Sequence, residues 1–160
     1  MDRRILLLAA FLLLPPAAKP ASDAPLDRAT LKGLIKVGVV VDVIDPELEK
    51  LGLTREVMLS RLLARLQARH IRIDPGATEF LGLRIVAVRN SRGPFALAMT
   101  LGFYQPVLLV RNRDVRTSTQ TWDVETVLMA DPKYLVTACS ESSDELADHF
   151  AAAFLGANPE

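Results

Sequence analysis

The sequence predicts an α+β fold: a two-layer sandwich with two helices on one face of a mixed, mostly antiparallel sheet of about four strands. Two segments place apolar residues at helical spacing, and four runs alternate with period two, as half-buried strands do. Only one connection is long enough to join parallel strands, so the other strands should form an antiparallel meander. The expected order is β-α-β-β-β-α, with a possible short extra strand at residues 71–73.

The first strand and the helix that follows it are marked by local sequence. Residues 34–44 alternate and are rich in valine and isoleucine, which is typical of a strand. Asp45 before Pro46 is a helix-start signal, an acidic N-cap followed by proline at the first helical position. Thr54 is expected to cap a longer helix that ends near Arg69. Four leucines are predicted to form its buried stripe: Leu59, Leu62, Leu63 and Leu66.

Three strand-like runs follow, at residues 81–89, 95–110 and 115–129. In the second run, large apolar residues alternate with small ones, which predicts one face in the core and one open face. The predicted core set is Phe95, Leu97, Met99, Leu101 and Phe103. In the third run, Trp122 is expected to face the core and threonines 117, 119 and 121 the open side. Asp131-Pro132 then starts the last helix, which Gly156 ends.

The first 24 residues have the order of a secretory signal peptide. A short basic start precedes the unbroken apolar run Ile5–Leu14, and small residues follow. Ten apolar residues are too few to span a bilayer as a helix. We therefore expect residues 1–24 to be a signal peptide and residues 25–160 a single α/β domain, periplasmic or secreted and without a transmembrane span after cleavage. The alternative is an uncleaved membrane anchor.

Charge and cysteine content narrow the functional class. The chain has 19 basic and 19 acidic residues and a net charge of zero, which argues against nucleic acid as the main partner. Cys139 is the single cysteine, so neither an intramolecular disulfide nor a cysteine-rich metal site is possible. The sequence has no G-x-S-x-G motif, glycine-rich phosphate loop or dinucleotide fingerprint. We therefore predict no catalytic residues, no cofactor and no metal, and a protein that is not an enzyme.

Two surfaces are candidates for binding. The open sheet face is small and semi-polar, whereas a merely solvated face usually carries more long charged side chains. Its candidate residues are Ala96, Ala98, Thr100, Tyr104, Thr119 and Thr121. A basic ridge on the first long helix consists of Arg61, Arg65 and Arg69, and could bind anionic lipid or an acidic partner. For the sheet, the alternative is an ordinary solvated face. For the ridge, the alternatives are a solvated face and pairing with acids of the last helix. Those acids are Glu141, Asp144, Glu145 and Asp148.

The segment 45–54 (DPELEKLGLT) resembles a family of small exported bacterial α/β proteins of unknown function. In that family a similar segment precedes an amphipathic helix, then a meander with a late tryptophan and a C-terminal helix ending near Ala-Asn-Pro. Here the matching residues are Trp122 and the triplet at 157–159. The resemblance covers most of the chain after the leader. It implies export and the fold described above, and its motifs carry no chemistry.

These features together predict a non-catalytic exported accessory or interaction domain of the bacterial cell envelope. It would act by contact with an envelope protein or by self-association through the open sheet face. The alternative is a carrier or sensor of a small amphiphile or lipid, bound between helices and sheet. A carrier needs a deep apolar pocket of several hundred Å³, whereas an interaction domain needs none.

Overall fold

The computed structural model describes residues 23–89 and 92–159, so the predicted signal peptide lies outside the described residues except for its last two positions. The helices are α1 (Pro25–Ala29), α2 (Pro46–Glu49), α3 (Arg55–Ala68) and α4 (Leu135–Ala157). The strands are β1 (Gly38–Val41), β2 (Phe80–Arg89), β3 (Phe95–Leu109) and β4 (Asn112–Ala130). A single 3-10 turn, Pro132–Tyr134, leads into α4. The predicted α+β class is confirmed.

The four strands form one sheet in the order β1-β2-β3-β4. β1 and β2 pair in parallel, and α2 and α3 lie in the long connection between them. β2 pairs with β3, and β3 with β4, in antiparallel fashion. The single crossover and the meander are therefore both confirmed. The possible extra strand is reduced to one parallel bridge between Val37 and Ile73.

Side-chain N-caps mark the beginnings of α2 and α3 at the residues that the sequence predicts. The Asp45 carboxylate accepts the backbone N–H of Glu47 at 2.7 Å, directly before Pro46. The Thr54 hydroxyl accepts the N–H of Val57 at 3.3 Å. Each bond satisfies one of the N–H groups that a helix start leaves without an intrahelical partner.

α3 and α4 share one face of the sheet, and the core lies between them and the strands. Trp122 meets Phe150 edge to face with ring centroids 5.4 Å apart, and the Phe103 ring lies 6.3 Å from Phe150. The buried line of α3 is shifted from the predicted one. Its fully buried residues are Met58, Leu62 and Leu66, while Leu59 and Leu63 flank that line and are half-buried.

Candidate interaction surface

The outer face of the sheet is the one opposite to α3 and α4. On β3 the predicted core set from Phe95 to Phe103 is buried at every second position, whereas Ala98 is exposed and Ala96, Thr100 and Tyr104 are half-buried. Successive strand residues point to opposite faces, so the strand pattern produces these two surfaces directly. The predicted division of β3 into a core face and an open face is confirmed.

The register aligns the outer-face residues in rows that cross β2, β3 and β4. Two neighbouring rows are apolar, and their four large side chains are 52 to 74% exposed. The first row is Val86, Ala98 and Val127, and the second is Val88, Ala96 and Met129. The adjoining row consists of Arg84, Thr100 and Glu125, with opposite charges at its two ends. We call these three rows the outer patch.

The part of the outer face next to the outer patch is covered by its own side chains. The Tyr104 ring stacks on Phe80 with centroids 5.2 Å apart, and its hydroxyl donates to Gln120 at 2.8 Å. Two glycines make room for these groups. A Cβ atom at Gly82 would lie 3.0 Å from the Tyr104 ring, and one at Gly102 would lie 2.6 Å from the Gln120 amide oxygen. The outer face therefore has an open apolar patch beside a part that is closed by stacking.

A β-bulge changes the position of two predicted surface residues. The register shifts between Phe103 and Tyr104, so that Tyr104 pairs with Gln120 and Gln105 pairs with Thr119. The side chain of Thr121 accepts the Gln105 amide N–H at 2.7 Å, on the side of the sheet where α1 lies. The prediction that Thr119 and Thr121 share a face with Ala98 is wrong, because an extra residue interrupts a period of two.

The predicted basic ridge joins α3 to α4. Arg61 makes a two-pronged ion pair with Asp144 at 2.9 and 2.6 Å, and Arg65 and Arg69 each bind Asp148 at 2.8 and 2.6 Å. Hydrogen bonds from Arg69 and Arg65 hold the pKa of the Asp148 carboxyl well below its usual range. The pairing alternative left open by the sequence is the one observed. We call these five residues the α3–α4 clamp.

Surface depressions lie along the helices. One of about 310 Å³ is bordered by α1 and the end of α4, with Arg28 and Lys32 in its wall. Another, of about 600 Å³, lies along α3 and is bordered by Glu56, Arg61 and Ser140. Neither is walled by the core side chains between helices and sheet. These grooves do not have the form that a carrier of an apolar ligand needs.

Chemically reactive groups are sparse in the part of the chain that the structure describes. There, no three His, Cys, Asp or Glu side chains converge as a metal site would require. Cys139 is buried, and desolvation raises the pKa of its thiol to about 11. A thiol in that state is a packing group rather than a nucleophile. No helix among residues 23–89 and 92–159 has the length and apolar character to cross a membrane.

No protein-family model and no curated protein matches this chain. Among the solved structures that are similar to it at low identity are a PelC dodecamer and a minor lipoprotein. The PelC dodecamer, from Paraburkholderia phytofirmans, is 16% identical, with a TM-score of 0.37 over 77% of this chain and 85% of that chain. The minor lipoprotein, from Acinetobacter baumannii, is 9% identical, with a TM-score of 0.29 over 74% of this chain and 92% of that chain. Both similarities are remote, so function is argued below from this chain's own residues.

Proposed function

We propose that this chain is an exported, non-catalytic accessory domain of the bacterial cell envelope that acts by protein–protein contact through the outer patch. The observation that carries the proposal is the pair of neighbouring apolar rows whose large side chains are 52 to 74% exposed. Single exposed apolar residues are ordinary, but a contiguous apolar patch on a soluble protein marks a site of interaction.

The form of the outer patch suits a flat partner. Its centre is formed by Ala96 and Ala98, whose small side chains let another backbone or sheet approach closely. Both lie on β3, which is hydrogen-bonded on both sides and buried on its inner face. A site on such a strand keeps its shape on binding, so little conformational entropy is lost there.

The order of residues 1–24 supports the envelope part of the proposal. A basic start, an apolar run of ten and a stretch of small residues direct a protein to the secretory pathway. A single buried cysteine is also compatible with an oxidising compartment, because it offers no exposed thiol for mispairing.

Site-specific photo-crosslinking tests the proposal in cells that produce the protein. A photoreactive residue at Ala98 should yield a discrete crosslinked species in the envelope fraction. The matched control is Ala64, an exposed alanine on α3 at the opposite side of the molecule. It should yield no such species. Equal crosslinking at both positions, or at neither, would contradict the outer patch as the site of contact.

A further inference from the structure

We propose that the occupant of the outer patch is a second copy of this chain, packed face to face about a two-fold axis that runs along β3. This inference rests on the proposed function and names its partner. A closed dimer of identical chains uses the same surface on both copies, so the surface must be complementary to itself. The arrangement of the three rows meets that condition.

The symmetry operation decides which residues meet. Rotation by 180° about a line parallel to β3 keeps each residue's position along the strands and exchanges the β2 side with the β4 side. Each row of one copy therefore faces the same row of the other copy, in the reverse order. A β2 residue meets the β4 residue of the same row in the second copy, and a β3 residue meets its own counterpart.

The charged row is self-complementary under this operation. Arg84 and Glu125 lie at the two ends of one row, with Thr100 between them. Rotation about β3 places each arginine opposite the glutamate of the other copy, which forms two equivalent ion pairs. An axis across the strands would instead set Arg84 opposite Arg84 if it crossed this row, and opposite an apolar residue of the same strand, such as Val88, if it crossed the apolar rows. The charge pattern therefore selects the axis along β3, which pairs each charge with an opposite one, since like charges in an interface are strongly unfavourable.

The apolar rows fit the same axis. Val86 would meet Val127 of the second copy, and Val88 would meet Met129, so all four exposed side chains of each copy are covered. The residues on the axis must be small, because identical side chains meet there. On β3 these residues are Ala96, Ala98 and Thr100. Two sheets packed face to face keep their strands within about 30° of each other, which this arrangement allows.

The outer patch is small, which favours a weak dimer. Its three rows span three strands about 4.8 Å apart and about six residues of about 3.4 Å each, which gives a face of about 300 Å² per copy. The two copies together would cover about 600 Å², below the usual range of stable interfaces. We therefore expect a dimer that dissociates at roughly 10 to 100 μM.

Charge reversal tests the axis and the partner together. Sedimentation equilibrium on protein purified after expression of the full chain should show a concentration-dependent dimer. Arg84→Glu or Glu125→Arg alone creates two like-charge contacts and should raise the dissociation constant by about tenfold or more. The double variant exchanges the charges and should return to within about threefold of the original. Mixing the two single variants should produce heterodimers in preference to either homodimer.

Two controls separate the interface from folding. Arg84 also donates a hydrogen bond to Asp42 at 3.3 Å, so Arg84→Glu removes a contact within the chain as well. Glu125→Arg leaves that contact in place. If the interface is responsible, both reversals should raise the dissociation constant to a similar extent. Arg55→Glu makes the same charge change on the exposed side of α3 and should leave the dimer unchanged. Thermal melting verifies that each variant is folded.

Three results would overturn the proposal. They are a monomer at all concentrations up to about 100 μM, a dimer insensitive to both reversals, and a double variant as weak as the singles. A monomer whose Ala98 position still crosslinks to a different envelope protein refutes the second copy but leaves the proposed function standing. A monomer without that crosslink refutes both.

Discussion

The inner and outer faces of β3 are made from alternate residues of one strand, and they differ in what covers them. Inner residues such as Phe103 are fully buried under α4, whereas Ala98, a few positions away, is exposed. The inner face holds the aromatic cluster and therefore much of the apolar area that stabilises the fold. The outer face has small residues at its centre and exposed valines beside them. The residues that stabilise the fold and those proposed to bind are thus separated across the thickness of one sheet.

This separation can be tested most strongly at the inner face. Phe150→Ala removes the ring that contacts Trp122, Phe103 and Phe154, and leaves a cavity among them. We expect the free energy of unfolding to fall by about 3 to 5 kcal/mol, measured by urea denaturation. Leu155→Ala, at a side chain that is 53% exposed on the same helix, should cost less than about 1 kcal/mol. A loss at Phe150 below about 1 kcal/mol would show that α4 does not form the core described.

The next largest loss of stability is expected at the edge of the inner face, where Asp23 contacts Trp122. Asp23 accepts the indole N–H of Trp122 at 3.0 Å and forms an ion pair with Arg28. Asp23→Ala removes an acceptor from a partly buried donor and should cost about 1 to 2 kcal/mol in the same assay. Asp131→Ala, whose side chain makes no cap hydrogen bond, serves as the control and should cost little.

The contact between Asp23 and Trp122 also narrows the range in which we expect the signal peptide to be cleaved. Asp23 lies within the predicted signal peptide, yet its carboxylate is held by Trp122 and Arg28. We expect the mature N-terminus, determined by mass spectrometry of the envelope fraction, to lie at or before Asp23. A mature chain that begins at Pro25 would lack this carboxylate, and Trp122 would then need another acceptor.

A smaller loss of stability is expected when the α3–α4 clamp is broken. Asp148→Ala should cost about 1 kcal/mol at pH 7, because ion pairs this exposed contribute little each. Arg69 and then Arg65 lower the pKa of Asp148 in the folded chain. The unfolded chain therefore takes up the proton first, so the contribution is fully present above about pH 5 and is lost progressively as the pH falls below about 4 toward the lowered pKa of the folded chain.

The acid limb of the stability curve measures this contribution. Asp148→Ala should flatten it relative to the unsubstituted protein, and the difference between the two should shrink in high salt. Glu145→Ala, which removes an exposed acid of the same helix outside the clamp, serves as the matched control. Identical acid limbs for Asp148→Ala and the unsubstituted protein would contradict the clamp.

The smallest change in stability is expected on the outer face. Ala98→Arg places a long cation on an exposed position and should alter the free energy of unfolding by less than about 0.5 kcal/mol. The same variant should abolish contact through the outer patch. Leu97→Arg, one residue away but buried, should prevent folding. If Ala98→Arg unfolds the protein as Leu97→Arg does, the two faces are not separated in the way described.

Much of the fold could be predicted because its signals are local. Alternation in residues 81–89 and 95–103 identified the strands and their core faces, and Asp45 and Thr54 marked the helix starts. The open part of the outer face was visible for the same reason, since a period of two assigns every residue to a side. These inferences need only the residue's near neighbours along the chain.

The remaining features depend on contacts between distant residues. The bulge opposite Tyr104 places Thr119 and Thr121 away from the outer face, although no feature of the sequence marks the extra residue. The α3–α4 clamp joins residues 61–69 to residues 144–148, so that the binding ridge predicted from one helix proved to have partners on another. Such pairings follow from how helices and strands are placed against one another.

The sequence by itself determined the α+β class, the two faces of β3 and the small side chains at the centre of the outer patch, because periodicity is a local property. Only the tertiary structure decided which exposed residues form rows, with Val86 in line with Val127 across Ala98, and Arg84 in line with Glu125 across Thr100. The physical reason is register. The pairing of strands aligns residues that are tens of positions apart in the chain, and surface complementarity depends on that alignment.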